Sequence, residues 1–509
     1  MRRKIIWLGS AFCSGLLAAL AFPKFNLSFF IWISLIPLLM IVFQSNQKRA
    51  FLAGWLAGLG FYGLLLYWIP YVPAHYGNLP LSLSLLIYFL LISFLALFWA
   101  LYAWLQARII HFFPTYGFVA AGFLWVSFEY ILTFFLTGFP WGLLGYAQAQ
   151  NLPLIQIASI TGIYGVSFII IFFSASFVQS LLKRKKFPFF FSLGLVLLLH
   201  LSGLIQLKKP LDSPLSFQFK AAVIQGNVSS QIYWDFTPEA EIEKLFDHHL
   251  HLTNEAIARG ARLVIWPEFS VPLCFSCPEQ RYLNFKKRLE KLVKETGVTL
   301  LLGTNERSSG LDHPEFYNTA LCLSPDLSIT TYYKMHLVPF GEYTPYKKIF
   351  SFIEKVTHAI GDVTPGKEHR LHSFQGLAFG SPICYEIIFP DLVRKFVKRG
   401  ATFLVTITND GWYGKSSAPY QHFQIALVRA IENRRYLLRS ATTGISGIID
   451  PFGRVIKRSS LMTVEVLEAP INPIQKMTFY TRFGDVWSWL CLTLSLLFVI
   501  LTLVRKRNE

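Results

Sequence analysis

Charge is what this 509-residue sequence has least of: Asp, Glu, Lys and Arg make up 15% of it, while 53% is hydrophobic. Soluble domains carry about 25% charged residues, so a chain wholly surrounded by water is excluded and much of this one must face lipid. Acidic residues are the scarcer sign, 29 against 47 basic, for a net charge of +18. That excess does not make a nucleic-acid binder, because the basic residues gather at the ends of apolar runs rather than along one groove-binding face. Cysteine is sparse too, at six residues. Cys274 and Cys277 form a C-x-x-C, but no second pair accompanies it, which argues against a structural zinc site. A local disulfide or two free thiols remain for that pair. Internal repeats and low-complexity linkers are also missing.

What is present first is a series of apolar runs near the ~20 residues that a bilayer core requires. They lie at roughly 5–22, 27–43, 51–68, 81–105, 118–136, 160–182, 187–205 and 486–504. The first could instead be a cleaved signal peptide, since Arg2-Arg3-Lys4 precedes it and Ala19-Leu20-Ala21 resembles a cleavage site. Kept, it makes about eight spans. Arg2, Arg3, Lys4, Lys48, Arg49, Arg108, Lys183–Lys186 and Arg505–Arg507 all flank one side of this series. The opposite loops hold few basic residues, Lys24 and Lys208-Lys209 being the exceptions. The positive-inside rule then places both termini in the cytoplasm and the segment between the last two spans outside, the periplasm for a bacterial inner membrane. The Thr137–Gln150 loop, apolar and rich in Gly and aromatics, reads as interfacial or re-entrant on the outer side. Glu129 falls inside a span, where a polar partner and a substrate-facing role are both open.

From about 217 to 472 the pattern changes to short apolar strands alternating with charged helices, an α/β layered domain. This divides the chain into 1–216 with seven spans, 217–472, and 473–509 with a linker and the eighth. Strands are expected at 220–225, 263–266, 299–303, 319–323, 330–334, 377–384, 403–408, 436–441 and 445–449. A helix opens at Thr237-Pro238-Glu239, with Thr237 as N-cap and Pro238 in the first turn, and stops at Gly260; a basic amphipathic one spans 278–296, and a third spans 420–433. Between Pro339 and Gly366 no strong strand appears, only scattered Phe, Tyr and Ile with glycine hinges. Such a connection reads as a functional lid, and its apolar residues suit a lipid leaflet or an acyl chain.

Three chemistry-bearing residues fall at strand ends: Glu268 in Trp-Pro-Glu, Lys334 in Tyr-Tyr-Lys, and Cys384 in Ile-Cys-Tyr-Glu. Each has a bland explanation, core packing for the cysteine and a surface ion pair for the other two. Together they make an acyl-transfer site. Free cysteine, with a pKa of about 8.5, is mostly thiol at neutrality and needs a carboxylate to take its proton. Attack on a carbonyl creates an oxyanion, which requires fixed donors such as Lys334 and a backbone N–H.

The motifs Trp-Pro-Glu at 266–268, Tyr-Tyr-Lys-x-His-Leu-Val-Pro-Phe-Gly-Glu at 332–342 and Ile-Cys-Tyr-Glu at 383–386 resemble the nitrilase superfamily. Thr-Asn-Asp-Gly-Trp-Tyr-Gly at 408–414, Gln421-His422, Arg429-Ala430-Ile431-Glu432 and Thr-Gly-Phe-Pro-Trp at 137–141 narrow the resemblance. With the flanking spans, they are similar to the bacterial apolipoprotein N-acyltransferase family over essentially the whole chain. The resemblance implies a nitrilase-like αββα sandwich beside a multi-span helical membrane domain. It implies Glu268 as base, Lys334 as oxyanion stabiliser and Cys384 as the acylated nucleophile, with Glu342, Tyr385 and Glu386 supporting them. Trp234 and Glu432 match further functional positions of the family. Glu386 could be a surface carboxylate, but beside the nucleophile it is placed to orient Lys334 or tune the thiol. Trp234 could be core, or contact an acyl chain or headgroup; Asn409 and Trp412 could shape the pocket or pack the loop. Gly411, where many relatives have a small side chain, departs from the pattern without touching the catalytic set.

The reaction so implied is a ping-pong transfer from a membrane phospholipid, through a Cys384 thioester, to the α-amine of a diacylglyceryl-cysteine at a lipoprotein N-terminus. No metal or organic cofactor is called for, and His248, His249 and His251 lack carboxylates spaced to complete a zinc site. The basic 278–296 helix is a solvated face that could lie near anionic headgroups. The rival readings are a membrane-tethered nitrilase-type amidase and a transporter or scaffold with a catalytically dead domain. The intact Glu268, Lys334 and Cys384 argue against the dead domain. Eight spans and an apolar lid have no use in a small-amide hydrolase.

Overall fold

The structure is a computed structural model that describes residues 2–210, 217–228, 238–272, 274–308, 315–345 and 363–507. The chain packs as two units: residues 1–70, 80–209 and 483–509 in one, residues 71–79 and 210–482 in the other.

The first unit is helical. Among its described residues, five helical stretches are long and apolar enough to cross a membrane: Leu81–Phe112, Gly117–Phe134, Ile163–Lys183, Phe187–Lys208 and Val486–Val504. Three shorter apolar stretches, Ile6–Ala19, Ser28–Gln44 and Leu152–Thr161, accompany them. The run at 27–43 is broken near Leu35 with Pro37 opening the next helix, because proline removes an N–H and clashes with the preceding turn. Helix Gln47–Leu65 begins with the charged Lys48-Arg49 and lies against Leu81–Phe112 through small residues. A Cβ on Gly58 would lie 2.7 Å from the Ala96 Cα, so glycine is what lets these two backbones touch. Without water to drive burial, such close van der Waals packing is what associates helices in lipid. Glu129 has polar partners in the bundle: its Oε1 accepts from Trp125 Nε1 at 2.9 Å and Leu144 N at 2.8 Å. Leu144 opens the second of two 3₁₀ turns, Pro140–Gly142 and Leu144–Gln148, into which the 137–150 loop folds as a buried part of this unit. The C-terminal helix returns here, where Arg108 Nε donates to Thr502 Oγ1 at 2.7 Å.

The second unit is built on two six-stranded sheets. The first runs β12-β1-β2-β3-β4-β5, with β1 (Phe219–Gln225), β2 (Leu263–Ile265), β3 (Thr299–Arg307), β4 (Phe316–Leu323), β5 (Ile329–Tyr333) and β12 (Glu465–Ile471). The second runs β11-β10-β9-β8-β7-β6, with β6 (His372–Phe374), β7 (Leu377–Gly380), β8 (Phe403–Thr408), β9 (Leu437–Ala441), β10 (Gly447–Ile449) and β11 (Val455–Arg458). Strands β1 to β3 and β7 to β9 are parallel; the outer pairs are antiparallel. Alternation divides the first sheet's residues between two faces. Ala222, Ile224, Val264, Trp266, Leu300, Leu302, Leu321 and Leu323 pack with Ile242, Phe246, Leu289 and Val293 of helices Glu239–Ala258 and Gln280–Thr296. Helices Pro390–Lys398 and Ala418–Asn433 cover the other sheet, completing four layers, αββα.

Several elements differ from the sequence expectation. The strand expected at 377–384 stops at Gly380, Ile383 keeps only an isolated bridge to Ile407, and Cys384 opens a 3₁₀ turn, Cys384–Ile388. Helix Glu239–Ala258 has Pro238 rather than Thr237 as its N-cap, and Thr237 lies outside the described residues. Strands β6, β11 and β12 and helix Pro390–Lys398 were not anticipated.

A polar strip joins the two sheets. Ser440 Oγ of β9 donates to the Ile224 carbonyl at 2.7 Å. Buried Gln225 donates to Ser460 O at 2.7 Å and Thr463 O at 3.0 Å, and accepts from Ser446 Oγ and Ser459 Oγ at 2.7 Å each. Gln225→Leu would remove these four hydrogen bonds, two of them from the buried Ser446 and Ser459 hydroxyls, and should destabilise this unit by about 2–4 kcal/mol, read as a lowered thermal transition in detergent.

Candidate active site

The loops that leave strands β2, β5, β7 and β8 place four carboxylates, a lysine and a cysteine together. β2 ends in Trp266-Pro267-Glu268; Trp266 is buried and its Nε1 donates to Thr253 Oγ1 at 2.9 Å, anchoring the loop. Gly303 of β3 permits the approach, since a Cβ there would lie 2.6 Å from the Glu268 Cα. Lys334 directly follows β5, with its N–H donating to the Asn318 carbonyl at 2.9 Å. Its Nζ, 1% exposed, lies 2.9 Å from Glu342 Oε1 and 3.4 Å from Glu268 Oε1. These groups are therefore no surface ion pair. A buried ammonium is costly unless carboxylates compensate it, and here two do.

The carboxylates are themselves fixed. Asn318 Nδ2 donates to Glu268 Oε1 and to Glu342 Oε1, both at 2.8 Å. The Asn409 N–H donates to Glu268 Oε2 at 2.7 Å, and the Val338 N–H to Glu342 Oε2 at 2.8 Å. Asn318 lies one residue before the strand expected at 319–323; buried on β4, it faces the same way as Ala320 and Cys322.

Cys384 is buried and has φ of +50°, a left-handed conformation uncommon outside glycine and characteristic of functional corners. Burial drives its thiol well above its ordinary range and the Glu268 carboxylate adds to this, while Lys334 opposes them. Burial works against the Lys334 ammonium, but Glu342, Glu268 and the Cys384 thiol outweigh it and raise its pKa. At rest the site thus holds a thiol beside a charged lysine, and the thiol proton must leave as the nucleophile attacks.

Glu386 is fully buried rather than a surface carboxylate. Its Oε1 accepts from Tyr332 OH and Met335 N at 2.7 Å and His336 N at 3.1 Å, and its Oε2 from Ile383 N at 2.7 Å. It therefore ties the Lys334 loop to the residue before Cys384. Tyr385 is buried, with its ring centroid 5.8 Å from that of His336. Asn409 Oδ1 accepts from Thr442 Oγ1 at 2.7 Å, so its side chain braces the loop whose backbone holds Glu268. Trp412 packs its ring 4.7 Å from Tyr76, in the 71–79 segment of the same unit. Glu432 is not brought into the carboxylate–lysine cluster; it is buried on helix Ala418–Asn433, 3.2 Å from Arg429 Nη1. Trp234 lies outside the described residues.

The expected lid is described only at its ends, since 346–362 lie outside the described residues. Val363 N donates to Glu342 O at 3.0 Å and Gly366 N to Lys334 O at 2.8 Å, so both ends fasten at the site. Cys274 and Cys277 form a disulfide, and the backbone N–H groups of Phe275 and Ser276 donate to Glu306 at 2.9 and 2.7 Å. The rings of His248 and His249 are engaged by the carbonyls of Gly226 and Leu245, at 3.0 and 2.9 Å.

A four-layer αββα domain with Glu268, Lys334 and Cys384 gathered at its strand ends defines the carbon-nitrogen hydrolase class, and the model of that family matches residues 220–475. The apolipoprotein N-acyltransferase N-terminal domain model matches residues 14–176. The chain is similar to apolipoprotein N-acyltransferases of Geobacter metallireducens (37% identity, 97% of this chain and 95% of that one) and Nitrosomonas europaea (33%, 94% and 93%). That of Wigglesworthia glossinidia brevipalpis is 32% identical over 99% of this chain and all of its own length. The chain belongs to the apolipoprotein N-acyltransferase family. Among solved structures it is similar to the nitrilase-superfamily protein Nit3 of Saccharomyces cerevisiae, with a TM-score of 0.40 and 19% identity over 51% of this chain and 92% of that one.

Burial pushes the Glu386 carboxyl up to about 7, with its backbone donors, Tyr332 and Lys334 pulling the other way. The folded chain then keeps a proton that the unfolded chain gives up above about 4.5. Stability from this group is complete below that pH and is lost as pH rises through about 7, by up to about 3 kcal/mol. Glu386→Gln should lack that part of the slope. Thermal denaturation at several pH values between about 5 and 8 measures it, and parallel profiles for the two proteins would contradict it.

Proposed function

We propose that this protein is a membrane N-acyltransferase that moves a fatty acyl chain from a phospholipid to the α-amine of the N-terminal diacylglyceryl-cysteine of lipoproteins. The observation that carries this is the buried, mutually braced set of Glu268, Lys334 and Cys384 in a chain whose other unit has helices long enough to cross a membrane. Family membership directs the chemistry to acyl transfer onto apolipoprotein.

In this reading Glu268 accepts the Cys384 proton as sulfur attacks the ester carbonyl, and Lys334 with a backbone N–H receives the oxyanion. The C–O bond breaks, Glu268 returns the proton to the departing alkoxide, and lysophospholipid leaves a thioester on Cys384. The acceptor amine then attacks; Glu268 takes its proton and passes it to the departing thiolate. Asn318, Glu342, Asn409 and Glu386 hold the three groups in place, and Tyr385 and Trp412 line the approach. An amine competes with water here only in a dry site. By the family resemblance, Trp234 and Glu432 support substrate binding. The membrane part makes eight spans in the bacterial inner membrane, with both termini in the cytoplasm and the 217–472 domain in the periplasm.

Purified protein with labelled phospholipid and no acceptor should acquire a hydroxylamine-sensitive label, lost in Cys384→Ala. Glu268→Gln and Lys334→Met should slow labelling by about 10³-fold or more. A diacylated lipopeptide should discharge the label into triacylated product; release of free fatty acid alone would favour a hydrolase. For the topology, a cysteine replacing Lys291 should react with an impermeant maleimide in spheroplasts, and one replacing Lys185 only after lysis. The reverse pattern would overturn the assigned orientation.

A further inference from the structure

A second buried polar cluster lies against the nucleophile, built from residues that the acyl-transfer steps do not use. His422 is on helix Ala418–Asn433, Asp410 follows β8 and Arg439 is on β9; all three are buried. Asp410 Oδ2 accepts from Arg439 Nη2 at 2.7 Å, and its Oδ1 lies 2.9 Å from His422 Nδ1 and accepts from Thr408 Oγ1 at 3.1 Å. Arg439 Nη2 is also 3.1 Å from His422 Nδ1, and Arg439 Nε donates to Ile445 O at 3.1 Å. On the other edge of the ring, His422 Nε2 lies 3.2 Å from the Cys384 carbonyl oxygen. Thr408, whose hydroxyl donates to Asp410, also lies beside the Cys384 thiol, so the cluster meets this one residue at its backbone and at its side chain. Space for it is reserved: a Cβ on Gly444 would fall 2.2 Å from Asp410 Oδ2.

A carbonyl oxygen can only accept, which puts the ring proton on Nε2; Nδ1 then accepts from the Arg439 guanidinium, which Asp410 holds in place. Asp410 and Arg439, of opposite charge, bracket Nδ1 and set the ring plane. Against its burial, Arg439 and His422 hold the Asp410 carboxyl down at about 2, a permanent anion in the cluster. The consequence runs through the next peptide. In a planar trans peptide the C=O and the following N–H point in opposite directions. Turning the Cys384 carbonyl toward His422 therefore turns the Tyr385 N–H away from it. Cys384 at φ of +50° is a corner whose peptide orientation needs such an external hold.

We infer that His422, seated by Asp410 and Arg439, is a positioning residue that aims the Tyr385 N–H so that it and Lys334 together receive the oxyanion. This rests on the acyl-transfer reading above. With labelled phospholipid and no acceptor, His422→Met should slow Cys384 thioester formation by about 10–100-fold. Alkylation of Cys384 by iodoacetamide, which builds no oxyanion, should stay within about threefold of wild type. His422→Gln, whose amide can donate to the same carbonyl, should recover most of the acylation rate. Asp410→Asn, read by the same two rates, takes the place of His422→Met if that protein does not fold, and should show the same split. Equal slowing of acylation and alkylation, or no advantage of Gln over Met, overturns the positioning role. An unchanged His422→Met with a labelled wild type overturns this assignment alone. A wild type without a hydroxylamine-sensitive label overturns the acyl-transfer reading and this assignment with it.

Discussion

The constraint on which the catalytic unit depends is the burial of one ammonium group. Lys334 sits 1% exposed between Glu268 and Glu342, and neither the cation nor the carboxylates could remain ionised there alone. Satisfying them recruits Asn318, the Asn409 and Val338 backbone N–H groups, and through them β4, the loop after β8 and the start of the 339–366 segment. Both sheets contribute residues to this arrangement. Their relative position is accordingly held by the Gln225 and Ser440 strip as well as by apolar packing.

A dry, braced site has a chemical consequence. Burial keeps the Cys384 thiol protonated until a carbonyl arrives, which protects the sulfur and makes deprotonation part of the attack. Preorganised donors are worth most where water is excluded, because they need no reorganisation as the oxyanion forms. Burial of Glu268, Lys334 and Cys384 is also what a transferase of this fold needs, because water is the acceptor that competes with an amine. Fold alone does not decide between them; the lipid-facing half of the chain does.

That half follows different rules. In the Gln47–Leu65 and Leu81–Phe112 pair, glycine and alanine set the contact, since lipid offers no hydrophobic incentive for large side chains to meet. Glu129, whose place inside a span invited a functional reading, accepts from Trp125 and from the Leu144 N–H. It satisfies backbone where the chain leaves a regular helix, a need that is acute away from water.

By themselves, the residues determined the alternation of strands and helices in the second half, the apolar runs of the first, and the strand ends that carry Glu268, Lys334 and Cys384. Strand ends carry motif residues in short contiguous strings, and apolar periodicity is local, so both are legible in one dimension. Hydrophobic length was a weaker guide: Gln47–Leu65 does not stand among the five long apolar stretches, and the run at 27–43 breaks near Pro37. Only the tertiary structure decided that Asn318 joins the two glutamates, that Glu386 is buried, that Cys384 turns a left-handed corner, and that Tyr71–Leu79 packs with the catalytic unit. It also decided that Asp410, His422 and Arg439 meet behind Cys384, while Glu432 pairs with Arg429 instead of joining Lys334. Each of these is a partnership between residues far apart in the chain. A polar side chain's partner is chosen by the geometry of strands and loops, and its own neighbours in sequence do not record that choice.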